Sequence, residues 1–102
     1  MVKHVIIWKL KDGYSFAEKQ NIKANAKLHL ESLVGKINGL VALNVQISGL
    51  LTSTGDMMLD STFVDFAALQ AYSKAPQHVA VADTYVRPYT AVRSCFDYEI
   101  YD

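Results

Sequence analysis

The hydrophobic periodicity of this chain changes in a fixed order, and that order limits the folds available to it. Residues 2–10 alternate with the period of a strand, whereas residues 15–36 carry apolar side chains three and four positions apart, as one face of a helix does. Over the whole chain the pattern predicts strands at 2–10, 41–48, 57–64 and 92–101, a helix at 15–36, and a helical region at 65–86 that Pro76 interrupts. The order strand, helix, strand, strand, helix, strand is that of a ferredoxin-like α+β fold, β-α-β-β-α-β, with a four-stranded antiparallel sheet. We therefore predict a single domain of this kind over residues 1–102.

Two of these elements also carry signals for their ends and faces. Ser15 and Glu18 are three residues apart, the spacing at which a hydroxyl and a carboxylate satisfy free backbone N–H groups at a helix start. In the second strand, strict alternation predicts one buried face, made of Val41, Leu43, Val45 and Ile47.

The predicted topology leaves one face of the sheet without helices. Val5, Ile7, Cys95 and Tyr101 indicate that this second face is apolar, in a chain of 102 residues that is 51% hydrophobic. A domain of this size buries only about 60 to 70% of its unfolded surface, so a large apolar face calls for a partner. We expect a homodimer in which two sheets pack together as a dimeric α+β barrel.

Composition argues against several classes of partner. Ten basic and ten acidic residues cancel, and no basic stripe is available for a phosphate backbone, so we do not expect nucleic acid binding. No apolar run is long enough for a membrane span or an export signal, and a single cysteine excludes an internal disulfide. These features favour a cytoplasmic protein without membrane association.

The residues most suggestive of chemistry surround the helix-breaking proline. Tyr72 and His78 are six residues apart on either side of Pro76. Imidazole, with an unperturbed pKa of about 6.5, can take and return a proton near neutrality. A phenol, with a pKa of about 10, can donate a hydrogen bond to a developing enolate while staying neutral.

Three segments of the chain, in order, resemble the stress-responsive α/β-barrel (Dabb) family. They are residues 2–12, the run Pro76-Gln77-His78, and residues 96–100. The resemblance spans nearly the whole chain and implies a ferredoxin-like protomer and a dimeric α+β barrel. The family includes proteins of unassigned role and a plant polyketide cyclase.

The resemblance also implies site residues. In the cyclase, the histidine of the Pro-x-His motif is the acid/base in an aldol condensation of a poly-β-keto thioester, and a tyrosine six residues earlier assists; His78 and Tyr72 match these two. His4 matches the family's first-strand histidine. Met57 and Leu30, however, stand where the cyclase has a histidine and a tyrosine, so part of its pocket chemistry is replaced.

Two functions follow from these observations. The preferred one is a homodimeric protein that binds a small hydrophobic or aromatic ligand in a cavity between sheet and helices. The residues expected to line that cavity are His4, Ile6, Trp8, Phe63 and Phe66, beside Tyr72 and His78. The alternative is a cofactor-free, cyclase-like lyase in which His78 and Tyr72 perform acid/base chemistry on a β-keto substrate.

Each of these residues also has a structural interpretation. Tyr72 continues the helical stripe of Phe66, His78 can bond a backbone group after Pro76, and a buried His4 needs a hydrogen-bond partner, for which Tyr98 and Tyr72 are candidates. Asp97 and Glu99 are interpreted as cross-strand or dimer contacts.

No metal site and no cofactor are expected from the sequence. His29 has no second ligand at i+4, and the glycines are scattered at turns rather than gathered in a phosphate loop.

Overall fold

Four strands and three helices follow one another in the order that the periodicity predicts. The structure is a computed structural model that describes residues 1–101, so the last residue of the predicted domain, Asp102, lies outside the described residues. The elements are β1 (Val2–Leu10), α1 (Phe16–Glu31), β2 (Leu40–Gln46), β3 (Met57–Phe63), α2 (Phe66–Lys74), α3 (Pro76–Tyr85) and β4 (Thr90–Glu99), with a short 3₁₀ turn at Arg87–Tyr89 before β4.

The strands form one antiparallel sheet in the order β2-β3-β1-β4. The central strand β1 pairs with β3 on one side and with β4 on the other, so Val2 lies opposite both Phe63 and Glu99. This is the ferredoxin-like arrangement, and the predicted fold class is confirmed. The register also places Val2 and Glu99, which are far apart in the sequence, next to each other on neighbouring strands.

The core lies between the helices and one face of the sheet. Every second residue of β1 is buried there, from Val2 through His4, Ile6 and Trp8 to Leu10. The stripe predicted on α1 covers the same face, with Ile22, Ala26 and Leu30 buried. The predicted capping box is present: Glu18 N–H donates to Ser15 Oγ at 3.1 Å, and Ser15 N–H donates to Glu18 Oε1 at 2.9 Å.

Helix α1 ends five residues before the predicted end at Lys36. Ser32 caps it, and the Ser32 hydroxyl donates to the carbonyl of His29 at 2.7 Å, a local bond that competes with helix propagation. Gly35 then takes a positive φ of 87°, which directs the chain back toward the sheet. The apolar spacing extends beyond the helix because Leu33, in the turn that follows, is still buried.

The predicted buried face of β2 is wrong at its first residue. Val41 is exposed, while Leu40, Leu43 and Val45 are buried. The pairing with β3 shifts register between Leu40 and Ala42, and this irregularity turns one residue outward before the alternation resumes.

The second face of the sheet differs from the prediction in strand β4. Cys95 lies opposite Ile6, so it faces the helix side and not the uncovered side, and Tyr101 follows the end of the strand. The uncovered face instead presents Phe96 opposite Val5, and the Phe96 side chain is 70% exposed. Val92 and Tyr98 on the same face are also exposed.

Within residues 1–101, no helix combines the length and the apolar character that a membrane span requires.

Candidate functional site

A cavity of about 260 Å³ lies on the helix side of the sheet, between β1 and β4 below and helices α2 and α3 above. Five residues that the sequence analysis selected line it: His4, Ile6, Trp8, Tyr72 and His78. The three strand residues reach it because they alternate on one face of β1, and the two helix residues reach it from either side of Pro76.

Two residues predicted for the cavity lie elsewhere. Phe66 is the first residue of α2, is 57% exposed, and lines a shallow cleft with Val2 and residues 97–99. Phe63 is fully buried behind the cavity wall, where its ring packs 5.0 Å from that of Tyr72. Phe63 therefore supports the site, whereas Phe66 has no place in it.

The proline brings Tyr72 and His78 together. Pro76 is the first residue of α3, and Ala75 before it is extended, with a ψ of 130°, as the ring of a following proline requires. The chain bends there, so the third residue of α3 is placed over the last turn of α2. The rings of His78 and Tyr72 are consequently 4.1 Å apart between centroids.

Both side chains present a buried polar atom without a partner. Among residues 1–101, neither the hydroxyl oxygen of Tyr72 nor Nδ1 of His78 has a hydrogen-bond partner, although Tyr72 is only 1% exposed. Buried polar groups are nearly always hydrogen-bonded in proteins, so two unpaired atoms beside one cavity call for an explanation.

The environment keeps both groups neutral near pH 7. Burial raises the pKa of the Tyr72 hydroxyl, which therefore retains its proton. Burial lowers the pKa of His78, the positive charge of Arg87 lowers it further, and a contact with the backbone of Ser73 acts in the opposite direction. A neutral imidazole beside a neutral phenol can accept one proton and donate another.

His4, in contrast, has its partner. Its Nδ1 lies 2.5 Å from Oδ1 of Asp97 on the neighbouring strand, and its backbone carbonyl accepts a hydrogen bond from Ser61 Oγ at 2.8 Å. An ionised carboxylate can only accept, so the contact places a hydrogen on Nδ1. The partner is neither Tyr98 nor Tyr72, the two candidates that the sequence suggested. The cross-strand interpretation of Asp97 holds, because His4 and Asp97 are directly opposite each other.

Two arginines at the cavity were missed by the sequence analysis. Arg87, in the 3₁₀ turn, and Arg93, on β4, both line it, and both are near enough to lower the pKa of His78. Arg87 also pairs with Asp83 one helical turn earlier. Placing Arg93 beside the cavity requires the register that sets it opposite Trp8, and no local sequence signal gives that register.

One group of side chains beside the cavity has the composition of a metal site. Ligand atoms of His4, Cys95 and Asp97 all lie within 4.8 Å of one another. The sequence analysis considered histidine spacing along one helix and did not consider ligands on paired strands.

Fold and cavity together define a ferredoxin-like α+β domain with a site between its sheet and its second helical region. The chain matches the model of the stress responsive A/B barrel domain over residues 2–100, and it belongs to that family. The predicted resemblance is therefore confirmed. Among curated proteins, none matches the sequence significantly.

Solved structures similar to this one share the whole fold. A dimeric protein of unknown function from Bacteroides fragilis has a TM-score of 0.90 at 28% identity, over 97% of this chain and 95% of that one. A dimeric ferredoxin-like protein of unknown function from Thermobifida fusca has a TM-score of 0.80 at 17% identity, over 97% and 90%. A hydroxynitrile lyase from Passiflora edulis has a TM-score of 0.73 at 15% identity, over 99% and 94%.

Proposed function

We propose that this protein binds a small aromatic or hydrophobic ligand in the cavity between sheet and helices. An oxygen of the ligand would form hydrogen bonds with Tyr72 and His78. The two unpaired buried atoms carry this proposal. Leaving a polar group buried without a partner costs about 1 to 3 kcal/mol, and a ligand oxygen would recover part of that free energy for each atom.

The size of the cavity limits the ligand. A cavity of about 150 Å³ is enough for benzene, so the 260 Å³ available here suits one substituted ring. The walls support the same choice, because Ile6, Trp8 and Leu59 offer apolar surface to a ring while polar side chains stand beside it to hold a substituent. A long aliphatic chain would have to extend into solvent.

The charges at the cavity indicate an acidic substituent. Arg87 and Arg93 are its cationic residues, and Tyr72 and His78 are neutral near pH 7. A single ring with a carboxylate would place its apolar part against Trp8 and its charge near the arginines.

An NMR titration of the histidine rings tests this proposal, with 4-hydroxybenzoate as probe and its methyl ester as the uncharged control. We expect the resonances of His78 and His4 to shift while those of His29 stay unchanged, because His29 stacks on Tyr85 outside the cavity lining, at 3.7 Å. The ester should bind more weakly. Equal shifts in all three histidines, or no shift at millimolar probe, would contradict the proposal.

A second candidate is a cofactor-free lyase that uses the same cavity, and the contact between Tyr72 and His78 favours it. Neutral His78 would remove a proton from the substrate, and the Tyr72 hydroxyl would hydrogen-bond the oxygen on which negative charge develops. The similarity in fold to a hydroxynitrile lyase, and the spacing shared with the family's polyketide cyclase, make carbonyl addition or its reverse the reaction class to assay.

Turnover separates the two candidates. Cyanohydrin cleavage and β-keto thioester cyclisation would be followed in the wild type and in His78→Gln, with ligand binding measured on the same samples. Turnover that is lost in His78→Gln while binding persists supports the lyase. If the wild type binds ligand but shows no turnover, the result supports the ligand-binding function and contradicts the lyase.

We also propose that the protein is a homodimer in the cytosol. The uncovered sheet face exposes Phe96 and Tyr98, a free cysteine fits a reducing compartment, and two similar structures are of dimeric proteins. Phe96→Glu should give monomers in light scattering. Phe16→Glu is the matched control, because Phe16 is 77% exposed on α1 and away from that face, so it should leave the dimer intact.

A further inference from the structure

Strands β1 and β4 bring one nitrogen, one sulfur and one oxygen ligand to the same point. His4 lies opposite Asp97, and Cys95 lies opposite Ile6, so all three side chains share the helix-side face of adjacent strands. Their ligand atoms are 2.5 Å apart from Nδ1 to Oδ1, 3.4 Å from Sγ to Oδ1, and 3.8 Å from Sγ to Nδ1.

These separations are close to those around a tetrahedral zinc ion. With ordinary Zn–S, Zn–N and Zn–O bonds, two ligand atoms lie about 3.6 Å apart when one is sulfur and about 3.4 Å apart when both are lighter. Both sulfur separations are already within about 0.3 Å of that value. The nitrogen and oxygen, at 2.5 Å, are closer because a hydrogen now lies between them, and a metal ion in place of that hydrogen would move them apart by roughly 0.9 Å.

The geometry does not fit a nucleophilic triad. In such a triad the base contacts the nucleophile through one ring nitrogen and the carboxylate through the other. Here Cys95 and Asp97 both approach Nδ1 of His4. Three ligand atoms that each lie close to the other two have the arrangement found around a single ion.

The donor set suits a divalent ion with affinity for sulfur. A divalent cation takes the Cys95 thiolate and the Asp97 carboxylate as its two negative ligands, which gives a neutral cluster. The positive charge of Arg93, two residues before Cys95 on the same face of β4, acts against the ion. The thiolate and the imidazole select zinc-like ions over magnesium or calcium.

The site is open on one side. His4 is buried, whereas Cys95 and Asp97 lie on the exposed edge strand, which gives an ion a path in. Three protein ligands leave a fourth position for water, as in open zinc sites.

We propose that His4, Cys95 and Asp97 bind one Zn²⁺ ion per chain at the β1–β4 edge of the cavity. The proposal does not depend on Tyr72 or His78, and His4 is the one residue that it shares with the proposed ligand-binding cavity.

Cobalt substitution is the test. Co²⁺ bound to a thiolate gives a near-ultraviolet charge-transfer band, and Cys95 is the only cysteine of the chain, so such a band identifies the sulfur ligand. Protein dialysed against chelator and kept reduced would be titrated with Co²⁺, and Zn²⁺ would then be added to displace it. We expect saturation at one ion per chain.

The variants assign the other ligands. Cys95→Ser should abolish the band, and Cys95→Ser and Asp97→Asn should each weaken Zn²⁺ binding by at least about tenfold. Glu99→Gln is the matched control, because Glu99 lies on the same strand but outside the cluster, and it should bind as the wild type does. Circular dichroism confirms that each variant is folded.

Three results would overturn the proposal. They are the absence of a charge-transfer band at one equivalent of Co²⁺, unchanged Zn²⁺ affinity in Asp97→Asn, and saturation at half an ion per chain, which would place the ion between subunits.

Discussion

The cavity has a strand wall, which carries His4, and a helix wall, which carries Tyr72 and His78. The two walls differ in whether their buried polar atoms have hydrogen-bond partners. On the strand wall, His4 bonds Asp97 through its ring and Ser61 through its carbonyl. On the helix wall, the Tyr72 hydroxyl and His78 Nδ1 have no hydrogen-bond partner in the described part of the chain, although the two rings are in contact with each other. A histidine whose ring has a hydrogen-bond partner, His4, therefore lines the same cavity as a histidine with an unpaired ring nitrogen, His78.

The difference lies in what completes the hydrogen bonds of each wall. Pairing of β1 with β4 supplies the partner of His4 as part of forming the sheet, so the strand wall is completed by folding alone. The bend at Pro76 places Tyr72 and His78 together without supplying a partner for either. A wall with unpaired groups is less stable than it could be, and such groups are typical of sites that complete their hydrogen bonds with a ligand.

The largest effect is expected at Tyr72, where ring and hydroxyl can be tested separately. Tyr72→Ala removes a buried ring that packs on Phe63 and should lower the free energy of unfolding by about 3 to 5 kcal/mol. Tyr72→Phe removes only the unpaired hydroxyl and should leave stability unchanged or raise it by up to about 1 kcal/mol. Urea unfolding at one fixed protein concentration measures both.

The same two variants can disprove the comparison. If Tyr72→Phe destabilises the protein as a hydrogen-bonded tyrosine would, by more than about 1 kcal/mol, the hydroxyl has a partner and the helix wall is not unsatisfied. Binding gives the complementary result. Tyr72→Phe should weaken 4-hydroxybenzoate binding by about tenfold, which corresponds to about 1.4 kcal/mol for a lost hydrogen bond.

The fold was predictable from sequence because the hydrophobic periodicity of each helix and strand extends over many residues. Alternation in β1 and the stripe on α1 are read from many residues, so single exceptions do not change the result. Val41 was misassigned because a register shift adds one residue without a local signature. Cys95 was misassigned because the more apolar face of β4, with Val92, Phe96 and Tyr98, was taken as the core side, whereas pairing with β1 puts that face on the uncovered side of the sheet.

The candidate site was predictable only where it depends on local geometry. Tyr72 and His78 meet because of Pro76, which is visible in the sequence. Arg93 and Asp97 reach the site through pairing of β1 with β4, strands that lie at least eighty residues apart in the sequence, and short-range patterns do not encode such a pairing. Arg87 reaches the cavity from the 3₁₀ turn between α3 and β4. Phe66 was wrongly placed because the helical stripe was extended to the first residue of α2, where the side chain still points to solvent.

A second, smaller effect is expected on the strand wall. Asp97→Ala leaves the ring N–H of buried His4 without its acceptor and should lower the free energy of unfolding by about 1 to 3 kcal/mol. Glu99→Ala is the control, since it removes a carboxylate from the same strand and should cost less than about 0.5 kcal/mol. If both variants lower the free energy of unfolding equally, the effect comes from truncating any side chain of β4, and the hydrogen bond between Asp97 and His4 makes no specific contribution.

The smallest effect is a pH dependence on the helix wall. Burial and Arg87 hold the pKa of His78 below its ordinary value of 6.5 in the folded state, while the unfolded chain has the ordinary value. As the pH falls below 6.5, the unfolded chain binds a proton that the folded chain does not, so stability declines until the pH passes the folded pKa. Above 6.5 the contribution is fully present.

Variants of the two wall residues assign this slope. His78→Gln should flatten the decline in the free energy of unfolding below pH 6.5, whereas Tyr72→Phe should keep it, because the phenylalanine ring still buries His78. The measurement is urea unfolding from pH 7.5 downward in half-unit steps. Bound 4-hydroxybenzoate adds a diagnostic, since a carboxylate near the histidine favours its protonated form and should reduce the slope in the wild type. If the decline below pH 6.5 persists in His78→Gln, another group is responsible for it, and the pH dependence does not report on His78.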